Sequence, residues 1–246
     1  MTFFFATLEP ATALFLFAAS FVGSFITVAM GMGGGAMLLA VMASLVPPSA
    51  LIPLHGVVQI GSNVGRAAIM LPHTHWPPVA GFAIGSILGV TVGGLVVIDL
   101  PAGVIQIGVG LFIIWSVLQK PPAWLIKLPA LTGVISSFLT MFIGATGAFV
   151  AAMLKSLQLD RKAHVATHGV LMSLQHLLKI VVFGLLGFEF GPWLGFMLGM
   201  IASGFIGTLI GRRVLLRMND EIFGKLLTAV LLILAARLIW QGSLAL

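Results

Sequence analysis

The chain has 246 residues, of which 60% are hydrophobic and only 7% are charged. A soluble domain of this length needs more charged residues to cover its surface, so the composition excludes one and predicts a polytopic membrane protein. The formal net charge of +6 is explained by basic loops that orient a membrane protein, so we expect no nucleic-acid partner, and the absence of cysteine excludes disulfides and thiolate chemistry.

Apolar segments follow one another along the chain, and most have about the 20 residues that an α-helix needs to span a bilayer. The first is not preceded by a positively charged segment, so we expect it to remain in the protein rather than to be cleaved as a signal peptide. Two segments, 11–46 and 129–158, are longer than one upright helix requires. The segments are 11–46, 50–71, 78–98, 101–119, 129–158, 163–184, 191–211 and 222–241.

Each of the two long segments contains a cluster of glycines. In the first, Gly31, Gly33, Gly34 and Gly35 occupy four of five consecutive positions, and glycine is the least favourable ordinary residue in a helix interior. We therefore predict that the helix breaks there, as a helical hairpin or a pair of short helices with the glycines at the bend. Broken backbone within a bilayer is tolerated only where it is buried in protein or lines a watery cavity, so the break indicates a functional site.

The sequence repeats itself at an offset of 113 residues. Glycine and alanine matches are common in membrane proteins, but the recurrence of His55 as His168 and of Arg66 as Lys179 in one register is not. The chain therefore consists of two homologous halves, 1–119 and 129–246, joined by a cytoplasmic linker at 120–128. Further pairs in this register are Ser24 and Ser137, Phe25 and Phe138, Thr27 and Thr140, Gly31 and Gly144, Gly34 and Gly147, Ala50 and Ala163, and Gly56 and Gly169.

Basic residues in three loops predict the topology. If each long segment makes an even number of crossings, all eight of these residues fall on one side, which the positive-inside rule makes cytoplasmic. Both termini are then periplasmic, the protein lies in the cell inner membrane, and the second half is inverted relative to the first, as in many secondary transporters. A single long helix at each break would instead make the halves parallel. The eight residues are Lys120, Lys127, Lys155, Arg161, Lys162, Arg212, Arg213 and Arg217.

The predicted fold is therefore an all-α polytopic membrane protein made of two homologous halves. Each half has a glycine-broken helical hairpin followed by three transmembrane helices, which gives about 8 to 10 membrane helices in total. We expect the halves to be inverted repeats.

A stripe of polar side chains follows the first break. His55, Gln59, Ser62 and Arg66 are spaced by four, three and four residues and therefore lie on one face of a helix, with Asn63 beside them. A charged residue within a membrane span is costly and usually faces a cavity or a partner.

The second half repeats the stripe with His168, Gln175, His176 and Lys179, and Met172 takes the place of the glutamine. The six acidic residues of the chain all lie at segment ends or in loops, so neither stripe has a buried acid to neutralise its cation. A bound anion would do so. The alternative is that both cations extend to lipid headgroups, and that the histidines bond to backbone across helices.

The breaks strengthen the argument for an anion. The N-terminus of the helix after each break carries a partial positive charge from the backbone dipole, and glycine lets a ligand approach the backbone closely. We therefore predict that a compact anion with several oxygen atoms binds at the bilayer midplane between the two breaks. The candidate substrate-binding residues are Gly31, Gly33, Gly34, Gly35, His55, Gln59, Ser62, Asn63, Arg66, Gly144, Thr146, Gly147, His168, Gln175, His176 and Lys179.

An enzyme is not expected. The metal-like spacings are His73 with His75 and His164 with His168, and neither is joined by an acid in the usual way, so we expect no metal and no cofactor. The sequence contains neither His-Glu-x-x-His nor Gly-x-Ser-x-Gly. An anion channel remains open as an alternative, because the same breaks could line a conduction path.

The motifs described above resemble those of the sulfite exporter TauE/SafE family, also called the toluene sulfonate uptake permease family. The resemblance rests on the glycine element from Gly31 to Gly35, a shorter partner from Gly144 to Gly147, an alanine a short distance beyond each, and a helix with regularly spaced glycines after each. The resemblance implies a permease that moves sulfite or organosulfonates, commonly as an exporter. Its expected partners are a small sulfur-containing anion and membrane lipid. A homodimer, and uptake of another small organic anion, are left open.

Overall fold

The computed structural model describes residues 2–30, 33–97, 101–119, 128–214 and 220–246, and within these residues the regular structure is helical, with no strand. Single 3₁₀ turns, Leu71–His73 and Gly191–Trp193, precede α5 and α10. The helices are α1 Thr2–Phe5, α2 Pro10–Met30, α3 Gly34–Ala43, α4 Pro48–Met70, α5 Pro77–Val96, α6 Ala102–Leu118, α7 Pro129–Ile143, α8 Gly147–Ser156, α9 Arg161–Leu185, α10 Leu194–Val214 and α11 Asp220–Leu244.

Both predicted helix breaks are confirmed. In the first half α2 ends at Met30 and α3 begins at Gly34, and in the second half α7 and α8 are separated by residues 144–146. Gly33 has φ 96° and Gly144 has φ 80°, in the left-handed region that side chains disfavour. Each half thus contains a broken pair of helices followed by three long helices.

Several helices suit a membrane. Among the described residues, four helices are long and apolar enough to span a bilayer: Pro10–Ala29, Pro77–Val96, Arg161–Leu185 and Gly191–Arg213. Shorter apolar helices in the described residues lie at Gly34–Ala43, Gly103–Trp115, Pro129–Ile143, Gly147–Ser156 and Thr228–Leu244.

The helix α3 folds back along α2. At the bend, a Cβ atom on Gly34 would lie 1.7 Å from the carbonyl oxygen of Gly23, so the two backbones are in direct contact. At the other end of α3, Val41 lines a surface cleft together with Ala11 and Phe15 of α2. The first pair is therefore a hairpin whose close approach requires glycine at its turn.

The second pair, α7 and α8, also folds back on itself. The backbone of α7 at Gly133 contacts the carbonyl of Phe82, and the same phenylalanine packs against Met153 and Leu154 near the end of α8. The start of α7 and the end of α8 thus meet at one residue. On its other side, α8 packs Phe149 against aromatic rings of α6.

Each half packs one helix against the hairpin of the other half. Glycines of α5 contact the backbone of α7, and glycines of α10 contact α2, and in both pairs the contacts advance together along the two chains, so the helices are parallel. Small residues allow this close approach in membrane proteins. The contacts are Gly85 with Ala130, Gly89 with Val134, Gly93 with Met141, Gly199 with Phe17, Gly207 with Phe21 and Gly211 with Phe25.

The remaining long helices pair with their own sequence equivalents. Gly56 of α4 contacts Lys179 of α9, whereas Gly169 of α9 contacts Arg66 of α4, so these two helices run antiparallel. Helices α6 and α11 are also antiparallel. Their contacts are Gly103 with Gly242, and Gly110 with Ala235 and Ile239. The crossing of α4 and α9 brings the two polar stripes together.

Candidate functional site

A cavity of about 250 Å³ lies between the two helix breaks. Gly33 and Gly35 line it from the first break, and Ala145 and Gly147 line it from the second. It is larger than the about 150 Å³ apolar cavity that accommodates benzene in a small protein. The two broken hairpins therefore meet around a space that can hold a small molecule.

Eight of the predicted site residues line this cavity, and most of the others are buried close to it. Gly31 lies outside the described residues. Those that line it are Gly33, Gly35, His55, Gln59, Asn63, Gly147, His168 and His176. The predicted residues that do not line it are Gly34, Ser62, Arg66, Gly144, Thr146, Gln175 and Lys179, and all of them are buried.

Arg66 lies behind the cavity wall and is 1% exposed. Its Nη2 donates to the side-chain oxygen of Asn63 and to Nδ1 of His168, the latter at 3.1 Å, and its Nη1 donates to the carbonyl of Thr27 at 3.5 Å. These partners are uncharged. In this structure the guanidinium is thus held inside the protein and does not extend to lipid headgroups.

Lys179 is the equivalent cation of the second half and is 0% exposed. Its Nζ donates to the carbonyl of Gly144 at 3.5 Å, and the same carbonyl accepts a hydrogen bond from the Thr140 hydroxyl at 3.0 Å. The cation therefore contacts the backbone of the second break, just as Arg66 contacts the last turn before the first break.

A side chain of α9 also donates a hydrogen bond to the backbone just before the first break. Nη2 of Arg161 donates to the carbonyl of Ala29 at 2.5 Å, two residues beyond Thr27, whose carbonyl accepts from Arg66. The last carbonyls of a helix have no intrahelical partners, and cations near them are favourable. The preceding residue, Asp160, caps α9 by accepting hydrogen bonds from the backbone N–H groups of Ala163 and Lys162, which lower the pKa of its exposed carboxyl group.

The stripe histidines bind the backbone of the two breaks. Nε2 of His55 donates to the carbonyl of Gly35 at 3.0 Å, and Nε2 of His168 donates to the carbonyl of Gly147 at 3.3 Å. Because Arg66 donates to Nδ1 of His168, that imidazole is neutral with its proton on Nε2. Backbone bonding, one of the two interpretations of the sequence, is therefore present, but it uses only one nitrogen of each ring.

The end of the cavity near His55 contains buried polar atoms whose bonding is incomplete. His55 and His176 meet edge to face with ring centroids 6.0 Å apart, and they are 0% and 1% exposed. Nδ1 of each ring has no hydrogen-bond partner among the described residues. Buried polar atoms are nearly always paired, so an unpaired nitrogen in the wall of a cavity indicates a position for a ligand or water.

Gln175 and Thr146 belong to a hydrogen-bond network that connects α9 with α7 and with the second break. The Gln175 amide donates to the Thr146 hydroxyl at 2.7 Å and to the carbonyl of Ser136 at 3.3 Å, and its side-chain oxygen accepts from the Ser136 hydroxyl at 3.2 Å. This network ties α9 to α7 and to the second break. It positions the backbone that lines the cavity.

Sequence reasoning missed the apolar part of the cavity wall. Val117 of α6 and Leu231 of α11 line the cavity, together with Met172 and Thr228. One signal was available in the sequence. After one inserted residue the offset between the halves becomes 114, as in Gly81 with Gly195 and Gly85 with Gly199, and Val117 and Leu231 are equivalent at this offset. Apolar residues in apolar helices carry no other mark of a site.

Comparison with known protein families decides the class of the protein. The family model described as "Sulfite exporter TauE/SafE" matches residues 16–238, nearly the whole chain. The chain belongs to the sulfite exporter TauE/SafE family. Neither the curated proteins nor the solved structures include a match.

Membership of the TauE/SafE family confirms the resemblance found in the glycine motifs. Together with the apolar helices, it identifies the protein as a multi-pass membrane protein of a transport family. A transport family is consistent with the expectation that the chain is not an enzyme. No group of three or more histidine, aspartate or glutamate side chains that could hold a metal occurs among the described residues.

Proposed function

We propose that the protein is a permease that moves a small sulfur-containing anion, sulfite or an organosulfonate, out of the cell, and that it binds this anion in the cavity between the two glycine breaks. The observation that carries the proposal is the pair of buried cations, Arg66 and Lys179. Each reaches a break, and the hydrogen-bond partners found for them in the described part of the chain are neutral. An uncompensated buried charge is costly, and a bound anion offsets that cost.

The cavity wall suits an anion with an organic part as well as a bare oxyanion. Polar side chains of α4 and α9 line the cavity, and so do apolar side chains of α6 and α11. Sites that bind small molecules typically combine an apolar wall with a few polar groups that fix orientation. The sulfur oxygens of a sulfonate would contact the polar side chains, and its carbon chain the apolar ones.

We further propose that the two halves are inverted repeats in the cell inner membrane, with both termini periplasmic. The antiparallel pairing of α4 with α9, and of α6 with α11, supports this arrangement, because equivalent helices of inverted repeats run in opposite directions. Parallel pairing of α5 with α7, and of α10 with α2, is consistent with the same topology.

The membrane potential favours the export of an anion. An anion that leaves a cell with a negative interior gains about 2.3 kcal/mol per charge for each 100 mV. No acidic side chain is among the described residues that line the cavity, so the usual carboxylate for sodium or proton coupling is lacking there. We therefore propose efflux that is assisted by the potential and independent of a sodium gradient.

The cavity histidines would make this efflux sensitive to pH. Histidine is the side chain that ordinarily changes charge between pH 5 and 8. Added positive charge beside the anion should strengthen its binding, so we expect flux to rise as pH falls. The candidate rings are His55, His168 and His176, and the groups that face them are Arg66, Lys179 and His164. Because the bond from Arg66 keeps His168 neutral, the response is expected from His55 and His176.

Flux in proteoliposomes tests the proposal. Radiolabelled sulfite is loaded into vesicles, and its efflux is measured under imposed potentials, with and without sodium or pH gradients. We expect saturable efflux that accelerates with an inside-negative potential, is inhibited by organosulfonates and shows counterflow, which a channel does not produce. Strict dependence on sodium would contradict the mechanism. Saturable transport of a neutral solute without competition by anions would contradict the substrate class.

A further inference from the structure

We propose that the cavity contains two anion subsites in series, related to each other by the internal duplication. This inference rests on the proposed function, because it assumes that the cavity binds an anion. The first, which we call the arginine subsite, is formed by Asn63, Arg66 and His168. The second, the lysine subsite, is formed by His55, His176 and Lys179.

The residues of the two subsites are equivalent to each other in the internal duplication. At the offset of 113 residues, His55 corresponds to His168, Asn63 to His176, and Arg66 to Lys179. Because α4 and α9 are antiparallel, each subsite combines side chains from both halves of the chain. The arginine subsite is joined by the bond between Arg66 and His168, and the lysine subsite by the edge contact between His55 and His176.

The two subsites are too far apart for one small anion. His55 and Asn63 both line the cavity, and they are eight positions apart on α4. With a rise of about 1.5 Å per residue, this separation is about 12 Å along the helix. A hydrogen bond spans about 3 Å, so an oxyanion of sulfite size that contacts one end cannot contact the other.

A pair of uncharged side chains lies between the two subsites. Gln59 lies halfway between His55 and Asn63, its equivalent Met172 lies halfway along the stripe of α9, and both line the cavity. This central pair offers one amide and one thioether, neither of them charged. An anion is therefore held better at either end than in the middle.

Each subsite retains a buried polar atom that the protein leaves without a partner in its described residues. In the arginine subsite this atom is Nε of Arg66, which lies behind the cavity wall against Gly169. The donor that this end offers to an anion in the cavity is the second N–H of the Asn63 amide, whose first N–H donates to the carbonyl of Gln59. In the lysine subsite the atoms are Nδ1 of His55 and of His176. Nε2 of His55 donates to Gly35, so its Nδ1 is an acceptor and suits an anion that still carries a hydrogen, such as hydrogen sulfite.

Two binding positions, each of moderate affinity for the anion, would let the anion pass through the protein. Conduction requires binding that is strong enough for entry yet weak or divided enough for release. In the proposed topology the arginine subsite lies nearer the cytoplasm and the lysine subsite nearer the periplasm. The anion would therefore transfer from a site with a guanidinium to a site with two histidines before it leaves.

Anomalous diffraction from selenite, the heavier congener of sulfite, tests this inference. Crystals of the full chain are soaked in sodium selenite, and data are collected at the selenium absorption edge. We expect two anomalous peaks in the cavity, one beside His55 and His176 and one beside Asn63 and His168. Both peaks would be visible at partial occupancy even if the anion occupies only one subsite at a time.

Variants assign each peak to its cation. Lys179→Met should remove the first peak and leave the second, whereas Arg66→Met should do the reverse. A single peak at one end, or at the level of Gln59 and Met172, would overturn the two-subsite inference while supporting an anion site in the cavity. The absence of any cavity peak in the wild-type crystals would contradict both proposals. The wild-type data decide between these outcomes even if neither variant folds.

Discussion

Arg66 donates through Nη2 to Nδ1 of His168 at 3.1 Å, and this hydrogen bond joins the two halves of the chain. The same imidazole donates through Nε2 to the carbonyl of Gly147 at the second break. One histidine therefore connects the cation of the first half to the broken backbone of the second. These two hydrogen bonds keep the imidazole in its neutral form and fix its orientation in the cavity wall.

Removal of this histidine should destabilise the protein. In His168→Ala, the buried guanidinium loses an acceptor and the Gly147 carbonyl loses its donor, and unpaired buried groups cost about 1–3 kcal/mol each. We expect a clear fall in the melting temperature of the detergent-solubilised protein. The matched control is His73→Ala, because His73 is exposed on the 3₁₀ turn after α4. Equal melting temperatures for the two variants would contradict the structural role of His168.

Gly34 should not tolerate even a methyl group. A Cβ atom there would lie 1.7 Å from the carbonyl oxygen of Gly23 and 2.5 Å from the Thr27 hydroxyl, so Gly34→Ala must push α3 away from α2. We expect loss of sulfite flux and a lower melting temperature. The control is Gly108→Ala, where nothing lies within 4 Å of the added atom. Alanine is favoured over glycine in a helix by about 0.5–1 kcal/mol, so this control should be at least as stable as the wild type.

Substitutions at the second break should have different effects from those at Gly34. A Cβ atom at Gly147 would make ordinary contacts, the nearest at 3.4 Å from Nε2 of His168. We therefore expect Gly147→Ala to fold normally, whereas Gly147→Leu extends into the cavity and abolishes flux while some protein remains in the membrane. Flux measured beside membrane abundance distinguishes the two effects. Normal flux in Gly147→Leu would mean that the cavity is not the transport path.

The topology can be tested by cysteine labelling, since the chain has no native cysteine to remove. Single cysteines are placed at the termini and in the 120–128, 155–163 and 211–221 loops. We expect membrane-impermeant reagents to label the termini from the periplasm and none of the three loops. Periplasmic labelling of the 120–128 loop alone would refute the inverted arrangement.

Much of the geometry of the candidate site could be predicted because its physical cause is local. Glycines that disfavour a helix identified both breaks, and the spacing from His55 to Arg66 identified one polar helix face. Burial of Arg66 and Lys179 then decided between an internal position and the lipid headgroups, which the sequence had left open.

The rest depends on how helices pack, which a single sequence does not contain. Adjacent residues on an α-helix are about 100° apart, so Gln175 bonds to α7 while its neighbour His176 lines the cavity. Val117 and Leu231 line the cavity only because α6 and α11 cross beside it. The antiparallel crossing of α4 and α9 is what combines two stripes into one site.

Equilibrium binding of radiolabelled sulfite to purified protein tests the central claim most directly. Arg66→Gln and Lys179→Gln each remove one buried cation, and Arg213→Gln removes an exposed one at the end of α10 as the matched control. Melting temperatures identify any variant that has simply failed to fold. We predict that each buried variant weakens sulfite binding at least about tenfold, equivalent to about 1.4 kcal/mol, while the control binds like the wild type. Unchanged sulfite affinity in folded Arg66→Gln and Lys179→Gln would contradict the claim that these cations hold the anion.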